Sequence, residues 1–283
     1  MLAAIYTLGC KVNQYETQAM EQELVRRGHT LVPFDEKADV YIVNTCSVTA
    51  VSDKKSRQML RRCRKLNPEA VVAACGCYVQ THPEEAASLD IDLVAGTGDR
   101  MAFLELLEQV SREKQVTLLD DALKRRTFEV LPAGGMAERT RAMLKIEDGC
   151  VNFCTYCIIP KLRGKFRSVP MERLVTQAKE MAEEGVKELI LVAQETTVYG
   201  TDIYGKKSLH ILLKELCKIK GIRWIRVLYC YPEEIYDELI QTMKEEKKIC
   251  HYLDLPIQHA SDRVLKRMGR RPTKQELVDI IGR

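Results

Sequence analysis

The sequence contains no uninterrupted apolar run that approaches the roughly 18 residues needed to span a membrane. Its N-terminus also lacks the basic segment that begins a secretory signal peptide. These absences predict a cytoplasmic, soluble protein without a membrane partner, and we expect a monomer. At 283 residues with 46% hydrophobic residues, the chain has room for one large or two ordinary domains with buried cores.

The cysteine content is too low for a disulfide scaffold. Eleven cysteines are spread over 283 residues, whereas disulfide-stabilised domains are usually short, secreted and cysteine-dense. Reduced, metal-binding thiols fit this composition better. The net charge of +4 is mild, and its positive excess falls in the second half of the chain. Such an excess is compatible with an RNA or ribosome partner and equally with an ordinary solvated surface.

One short loop carries three thiols, in the order Cys150-Val-Asn-Phe-Cys154-Thr-Tyr-Cys157. A structural zinc site normally adds a second cysteine or histidine pair, and none follows nearby. Three thiolates can instead hold three irons of a cubane and leave the fourth iron without a protein ligand. The alternative is that these cysteines are buried structural thiols.

With Tyr156 before its last cysteine, this spacing resembles the signature of the radical SAM enzymes. The resemblance implies a 4Fe-4S cluster at Cys150, Cys154 and Cys157 that binds S-adenosyl-L-methionine and releases a 5'-deoxyadenosyl radical. It also places Tyr156, Gln194 and Gln258 around the bound S-adenosylmethionine. Alternatively, Tyr156 packs against the cluster, and the two glutamines are polar caps at strand ends.

In the first half, three predicted strands each lead to a cysteine. Residues 2–8 precede Cys10, residues 39–44 precede Cys46, and residues 70–74 precede Cys75-Gly-Cys77. The carboxyl ends of strands are where open α/β sheets bind ligands, so these cysteines predict a cluster-binding rim. Further elements are predicted as a helix that Asn13 caps, a helix over 52–66, a strand over 89–95 and a helix over 100–110.

The sequence around these cysteines resembles the N-terminal domain of the methylthiotransferases, a branch of the radical SAM enzymes. The segments that carry the resemblance are Thr7-Leu-Gly-Cys10-Lys-Val-Asn13, Val43-Asn-Thr-Cys46 and Gly76-Cys77-Tyr78. The resemblance implies a second 4Fe-4S cluster held by Cys10, Cys46 and Cys77. Cys75 remains an alternative third ligand because it lies so close to Cys77. Cys63 matches no motif.

The expected fold class is α/β, with an N-terminal flavodoxin-like open parallel sheet domain over residues 1–111 and a linker over 112–141, broken at Pro132. Alternating strands and helices over 142–283 then predict an incomplete radical SAM (β/α) barrel, truncated and without the C-terminal TRAM domain that the resemblance implies. Its four strands are predicted over residues 142–147, 187–193, 223–229 and 252–257.

The two halves resemble different branches of the family. Up to about residue 160 the chain resembles the MtaB branch, whose members methylthiolate threonylcarbamoyl-adenosine next to the tRNA anticodon. From about residue 163 it resembles the RimO branch, which modifies an aspartate of a small-subunit ribosomal protein. We therefore expect a methylthiotransferase acting on tRNA, supplied with electrons by a donor such as flavodoxin or ferredoxin.

Three alternatives remain. The substrate is the ribosomal protein, the enzyme dehydrogenates or methylates without inserting sulfur, or the chain is a catalytically inactive cluster-binding fragment. Two basic clusters offer surfaces for a phosphate backbone or are solvated faces. One is a helix face with Lys54, Arg57, Arg61 and Lys65, and the other contains Arg263, Lys266, Arg267, Arg270 and Arg271.

Overall fold

The computed structural model describes residues 1–110, 112, 114–129, 131 and 140–283. The chain divides into two compact units. The first contains Met1–Arg125, Glu129 and Lys161–Arg163, and the second contains Arg126–Phe128, residues 140–160 and Gly164–Arg283. The predicted break at Pro132 lies outside the described residues. Within those residues, no helix has the length and apolar composition needed to cross a bilayer.

The described part of the first unit contains a six-stranded parallel sheet with helices in the connections. Its strands are β1 (Leu2–Thr7), β2 (Thr30–Leu31), β3 (Val40–Thr45), β4 (Val71–Gly76), β5 (Leu93–Ala95) and β6 (Val116–Leu118). Its helices are α1 (Lys11–Arg26), α2 (Ala50–Leu66), α3 (Cys77–Thr81), α4 (Pro83–Ala87) and α5 (Arg100–Leu107). The strand order is β2-β1-β3-β4-β5-β6, which begins with the flavodoxin-like order 2-1-3-4-5. The predicted fold of this part is therefore confirmed.

Both faces of this sheet are buried, as expected for a parallel sheet covered by helices. Tyr41 and Val43 of β3 face one apolar cluster, and Val40 and Ile42 face the other. Because successive side chains of a strand point to opposite faces, a continuous apolar run such as Val40–Thr45 can supply both cores. This composition explains why the central strands were predictable.

The strand bounds differ from the sequence prediction at the far edge of the sheet. The strand predicted over 89–95 is restricted to β5, and Asp92 just before it accepts through its carboxylate from the backbone N–H of Val72 and from Arg64. β6 pairs with β5 although it falls in the segment predicted as a linker. Its three residues are too few to produce a readable alternation. The domain bounds themselves stay a prediction.

The helix α6 (Ile159–Arg163) includes residues of both units. The strands of the second unit are β7 (Arg141–Lys145), β8 (Glu147–Asp148), β9 (Arg167–Ser168), β10 (Glu188–Val192), β11 (Trp224–Val227) and β12 (Ile249–Leu253). Its other helices are α7 (Met171–Glu183), α8 (Thr201–Tyr204), α9 (Leu209–Cys217), α10 (Asp237–Glu245), α11 (Asp262–Arg267) and α12 (Lys274–Ile281).

In the described part of the second unit, β7, β10, β11 and β12 form a parallel sheet in sequence order, while β8 and β9 form a short antiparallel pair. Leu144, Leu189 and Ile225 from the sheet pack with Leu174 and Leu212 from the helices in one core. The predicted alternation of parallel strands and helices is therefore confirmed. β12 begins and ends earlier than the predicted strand over 252–257, which contains Pro256, a residue without a backbone N–H for the ladder.

Candidate functional sites

Three cysteines of the first unit follow neighbouring strands. Cys10 comes after β1, Cys46 comes after β3, and Cys77 comes directly after β4. The strand register pairs Thr7 of β1 with Asn44 of β3, and Asn44 with Cys75 of β4. The three strands therefore end at one level. The structure therefore brings these residues to one edge of the sheet. Their assignment as cluster ligands stays a prediction.

The Cys46 thiol lies against the backbone of the loop that carries Cys10. A Cβ built on Gly9, whose φ is +105°, would lie 2.9 Å from Cys46 Sγ, so only glycine fits there without a shift. Cys46 and Cys77 are buried, and Cys10 is half-buried. Burial raises the pKa of the Cys77 thiol to about 11; the Arg163 guanidinium acts against this, while Cys10 and Cys46 add to it.

The structure separates Cys77 from Cys75, the two alternatives for the third ligand. Cys75 lies inside β4 and packs in the apolar cluster that contains Ile42 and Phe103. Cys77 is placed after Gly76, which adopts a φ of +99° between the strand and α3. This geometry supports Cys77. Cys63 points into the other apolar cluster, where its Sγ contacts the Met59 carbonyl.

Asn13 holds the loops of the first two cysteines together. Its Nδ2 donates to the Leu8 carbonyl at 2.8 Å and to the Thr45 carbonyl at 3.0 Å, just before Cys10 and Cys46. The prediction that Asn13 caps the following helix is wrong, because α1 already begins at Lys11 and Cys10 is its N-cap residue. The amide instead bonds the carbonyl of Leu8 and the carbonyl of Thr45 at the end of β3.

A buried ionic network lies beside Asn13. Arg163 donates to both carboxylate oxygens of Glu16 and to Asn13 Oδ1, the last at 3.0 Å. Arg100 donates to Glu16 Oε2 at 3.1 Å and to the Gly96 carbonyl at 2.7 Å. All three charged side chains are 1–2% exposed. Sequence analysis missed this network because burial of an arginine depends on partners distant in the chain.

In the second unit, the loop over 150–157 follows β8. Cys150 and Cys154 are buried, and Cys157 is half-buried. The loop is held at its start by a hydrogen bond from Cys150 N to the Gly164 carbonyl at 3.0 Å. Near its middle, Thr155 N donates to the Met268 carbonyl at 3.0 Å. The structure therefore presents the three thiols of the motif on one anchored loop.

Gly149 and Gln194 set the entry to this loop. Gly149 has a φ of +99°, and a Cβ there would lie 2.3 Å from the Lys165 carbonyl oxygen. Its N–H donates to Gln194 Oε1 at 2.6 Å. Gln194, predicted from the resemblance to lie around S-adenosylmethionine, thus contacts the residue that precedes Cys150. This contact resembles the polar strand-end cap that was its alternative role.

Each cysteine trio offers a donor set of the kind that binds an iron–sulfur cubane. Among the described residues, no three His, Cys, Asp or Glu side chains are close enough to bind one metal ion together. A cubane takes each thiolate on a separate iron, so its ligands surround a volume rather than a point. The donor set, three soft thiolates in each unit, is the type that iron–sulfur clusters use.

A cavity of about 400 Å³ lies beside the loop thiols. Cys150 and Cys154 line it together with Glu195, Thr201, Tyr231 and Arg270. Its size falls in the ordinary range for small-molecule sites. Glu195, Thr201 and Arg270 each have a buried polar atom without a hydrogen-bond partner in the described part of the chain. Buried polar atoms are normally paired, so these atoms indicate a polar ligand.

Glu195 provides the acidic side of the cavity. Its Oε1 accepts hydrogen bonds from the backbone N–H groups of Thr197 at 2.9 Å and Tyr231 at 3.3 Å. Its Oε2 is the atom without a partner among the described residues. Burial raises the pKa of Glu195 to about 7, although hydrogen bonds from Thr197 and Tyr231 act against that shift. The carboxyl is therefore poised between its charged and neutral forms.

Arg270 provides the basic side. Its side chain is 1% exposed and pairs with Glu233 at 3.1 Å. The guanidinium carbon lies 4.0 Å from the centre of the Tyr231 ring, whose hydroxyl is 3.2 Å from Cys154 Sγ. Nε and Nη1 of Arg270 have no partner in the described residues. A buried cation and a buried carboxyl beside one cavity suit the carboxylate and ammonium groups of an amino acid.

The other residues predicted near S-adenosylmethionine do not line this cavity. Tyr156 is 51% exposed, although burial of the remainder and the nearby Cys154 raise its pKa. Gln258 is exposed, in a loop where its φ is +65°. Their roles stay predictions. Sequence analysis missed Glu195 because its only signal is weak: it lies next to Gln194 at the end of an apolar strand.

Each of the two predicted basic clusters contains exposed side chains and at least one that is buried or half-buried. On α2, Lys54, Arg61 and Lys65 are exposed, whereas Arg57 is half-buried between Glu85 at 3.4 Å and the Tyr78 ring. The exposed face of α2 is therefore Lys54, Gln58, Arg61 and Lys65. In the second cluster, Arg270 is buried beside the cavity and cannot contact a phosphate backbone as part of an exposed surface.

Comparison with solved structures shows the fold. The chain is similar to the radical S-adenosylmethionine methyltransferase TsrM from Kitasatospora setae, with a TM-score of 0.61 and 14% identity over 99% of this chain and 65% of that chain. It is also similar to OxsB, a cobalamin-dependent S-adenosylmethionine radical enzyme, with a TM-score of 0.63 and 12% identity over 99% of this chain and 46% of that one.

Two family descriptions match the sequence: uncharacterized protein family UPF0004 over residues 3–96, and the radical SAM superfamily over residues 144–283. The chain is 46% identical to the ribosomal protein uS12 methylthiotransferase RimO of Lachnoclostridium phytofermentans, over 97% of this chain and 63% of the relative. It is 39% identical to the threonylcarbamoyladenosine tRNA methylthiotransferase MtaB of Bacillus subtilis, over 99% of this chain and 62% of the relative. The chain thus spans somewhat less than two thirds of the length of these relatives. It belongs to the radical SAM methylthiotransferase family.

Proposed function

We propose that this chain is a methylthiotransferase that uses two 4Fe-4S clusters and S-adenosylmethionine. The observation that carries the proposal is the presence of two separate cysteine trios, one in the loop over 150–157 beside a cavity and one at the sheet edge of the first unit. A radical SAM enzyme that dehydrogenates or methylates without inserting sulfur needs only the loop trio. The second trio therefore favours sulfur insertion.

Cys150, Cys154 and Cys157 would hold the cluster that supplies the electron for cleavage of S-adenosylmethionine. Arg270 would bind the carboxylate of that molecule through its guanidinium, and Glu195 would accept from its ammonium through Oε2. Tyr231 stacks under Arg270 and keeps the guanidinium in place. An ammonium beside Glu195 would also favour the charged form of this carboxyl, whose pKa burial raises to about 7.

The cluster proposal is tested by iron and acid-labile sulfide analysis after anaerobic reconstitution. Two clusters per chain are expected, and replacing all three loop cysteines with Ala should leave one cluster while abolishing 5'-deoxyadenosine formation. Zinc in place of iron, or 5'-deoxyadenosine from the triple variant, would contradict the proposal. Cluster binding without any methylthio product would support the alternative of a non-catalytic fragment.

For the substrate, we propose ribosomal protein uS12, because the sequence is more similar to the RimO relative than to the MtaB relative. The comparisons do not specifically favour tRNA, the substrate expected from the sequence. The test is incubation of the reconstituted chain with purified uS12 and, separately, with tRNA. Mass spectrometry should show one added methylthio group on a uS12 aspartate. The same group on tRNA alone would reverse the assignment.

A second candidate substrate is tRNA, and the exposed face of α2 favours it. Lys54, Arg61 and Lys65 are exposed there and have no ion pair in the described residues. Each phosphate that such a cation neutralises releases counterions, so tRNA binding would weaken steeply with salt.

The finer expectations of an electron donor such as flavodoxin or ferredoxin, a monomeric state and a cytoplasmic location remain proposals.

The α2 face is tested by changing Lys54, Arg61 and Lys65 together to Glu. The matched control changes three exposed lysines elsewhere in the first unit, Lys37, Lys114 and Lys124, to Glu, which alters the net charge equally. If tRNA is bound on α2, the first variant should bind more weakly and show a smaller salt dependence than the control. Equal binding by both variants would count against this surface.

A further inference from the structure

The loop over 150–157 exposes two aromatic rings outside the cavity. Phe153 is 62% exposed and Tyr156 is 51% exposed, and neither belongs to the cavity lining. Isolated apolar side chains are ordinary on a protein surface, but aromatic residues are enriched where proteins bind one another. Each ring directly precedes a cysteine of the loop, Cys154 or Cys157. A molecule that contacts both rings therefore lies next to the thiols.

The backbone of Phe153 gives independent support for a contact at this position. Its φ is +42°, in a region that bulky L side chains rarely adopt. Because most of the ring is exposed, burial recovers little of the cost of this conformation. Backbone strain of this kind is found mainly at sites where a protein binds or reacts. Strain and exposure together indicate that the ring contacts another molecule.

A basic surface lies beside the two rings. On α11, Arg263, Lys266 and Arg267 are exposed, and their i, i+3, i+4 spacing places them on one face of the helix. None of the three has an ion pair within the residues that the structure describes. Among the exposed charged residues over 261–271, four are positive and one is negative. This surface therefore attracts a partner of negative charge.

Hydrogen bonds join α11 and the residues after it to the loop. Thr155 N donates to the Met268 carbonyl at 3.0 Å, and Thr155 Oγ1 donates to the Arg267 carbonyl at 3.1 Å. Arg271 Nη2 donates to Asn152 Oδ1 at 3.2 Å. These bonds hold the basic face of the helix and the aromatic rings of the loop next to each other.

We propose that Phe153, Tyr156 and the basic face of α11 dock an acidic electron-transfer protein that reduces the cluster of the loop. The inference rests on the proposed function, which needs one electron at this cluster for each cleavage of S-adenosylmethionine. Electron transfer slows steeply with the distance between redox groups, so the donor has to bind next to the loop. Aromatic rings beside unpaired cations suit a partner with an apolar contact region and surrounding carboxylates.

The position of this surface favours an electron donor over the substrate. The substrate has to enter the cavity, where the radical forms, whereas Phe153, Lys266 and Arg267 lie outside the cavity lining. The donor needs to reach only the cluster. In the transfer step, a flavin hydroquinone of the donor loses one electron and becomes a semiquinone, and the oxidised cluster gains that electron. No bond forms or breaks in this step.

The test compares two reductants of the reconstituted full-length chain. Reduced flavodoxin, an acidic flavin protein, has to dock, whereas the small molecule dithionite does not. Changing Arg263, Lys266 and Arg267 together to Glu should slow 5'-deoxyadenosine formation with flavodoxin roughly 10-fold and leave the rate with dithionite unchanged. Phe153→Asn should also slow the flavodoxin reaction several-fold, because Asn tolerates a positive φ but supplies no ring.

The matched control changes Arg173, Lys179 and Arg223 to Glu. These are exposed cations elsewhere in the second unit, and the change alters the net charge equally. The control should keep the parent rate with both reductants. Added salt should slow the flavodoxin reaction of the parent chain and the control more than that of the α11 variant. Iron per chain is measured for every sample, so that rates are compared per cluster.

Loss of rate with flavodoxin alone would support the proposal. Equal flavodoxin rates for the α11 variant and the control, or equal losses with both reductants, would overturn it. Unchanged flavodoxin rates with weaker binding of uS12 or tRNA would overturn it and assign the surface to the substrate. A parent chain that cleaves S-adenosylmethionine with dithionite but not with flavodoxin would overturn this inference alone. A parent chain that binds no loop cluster would overturn the proposed function as well.

Discussion

The guanidinium carbon of Arg270 lies 4.0 Å from the centre of the Tyr231 ring. Stacking of this kind fixes the plane of the guanidinium and leaves its edge free for hydrogen bonds. Nε and Nη1 are the groups left without a partner in the described residues, and they lie beside a cavity that also contains Cys154. The pair therefore holds a guanidinium with unpaired N–H donors beside the cavity where a carboxylate ligand would bind.

Replacement of Arg270 by Lys should weaken S-adenosylmethionine binding roughly 10–100-fold, because hydrogen bonds to a charged group contribute about 1.5–3 kcal/mol and lysine lacks the planar guanidinium that stacks on Tyr231. Equilibrium dialysis with the reconstituted chain would measure the dissociation constant for S-adenosylmethionine, and iron analysis would check that the cluster is present. The control is Arg263→Lys, at an exposed arginine that does not line the cavity. Equal affinities for the two variants would contradict the assignment.

Glu195 predicts a pH-dependent stability. Burial raises its pKa in the folded chain to about 7, above its ordinary value of 4.5. The folded state therefore binds the proton more tightly than the unfolded state, and this contribution is present below pH 4.5 and is lost as the pH rises towards 7. Above pH 7 the ligand-free protein holds a charged, buried carboxylate.

Glu195→Gln should therefore stabilise the cluster-free chain at pH 8 by about 1–3 kcal/mol and change it little at pH 4.5. The Gln oxygen can still accept from the N–H groups of Thr197 and Tyr231. Urea unfolding at the two pH values would measure the difference. The same variant should bind S-adenosylmethionine more weakly at pH 8, because its amide lacks the charge that attracts an ammonium. A pH-independent difference in unfolding free energy would contradict the argument.

The strands and the cysteine positions were predictable because their signals are local. An apolar run such as the one in β3 reads as a buried strand in any context. A cysteine at the end of such a strand is then placed by the topology of a parallel sheet. The sequence could also name the loop trio, since the spacing of Cys150, Cys154 and Cys157 places its thiols on one loop.

The buried polar groups were not predictable because their surroundings are assembled from distant segments. Arg270 belongs to a basic run that predicts an exposed surface, and only the fold places it beside Tyr231 and Glu233. Asn13 has the sequence position of a helix cap, yet its amide binds the carbonyls of Leu8 and Thr45. Short edge elements such as β6 were missed because three residues carry too little periodicity.

Cys77 and Cys75 can be distinguished by substitution in the chain without the loop trio. Cys77→Ala should lose the remaining cluster, because one of its three thiolates is removed. Cys75→Ala should keep the iron and lower the unfolding free energy by roughly 1–2 kcal/mol, since its sulfur fills space in the apolar cluster that contains Ile42 and Phe103. Iron analysis and urea unfolding measure the two effects. Loss of iron in Cys75→Ala with retention in Cys77→Ala would reassign the third ligand.

Gly149 should be required for the loop that carries Cys150. Its φ of +99° is strained for any L side chain, and a Cβ would lie 2.3 Å from the Lys165 carbonyl oxygen, a backbone atom that cannot move alone. Gly149→Ala should therefore displace the loop, reduce the iron bound by the loop trio and lower the unfolding free energy by several kcal/mol, on the order of the strain and overpacking costs combined.

Gly185→Ala is the matched control, because Gly185 has nearly the same φ, +97°, but no heavy atom within 4 Å of the added Cβ. It should lose only the cost of backbone strain, about 1–2 kcal/mol, and retain the full iron content. Urea unfolding of both variants, with iron measured after reconstitution, separates strain from collision. If Gly149→Ala keeps its iron and loses no more stability than Gly185→Ala, the close approach of Lys165 does not shape the cluster loop.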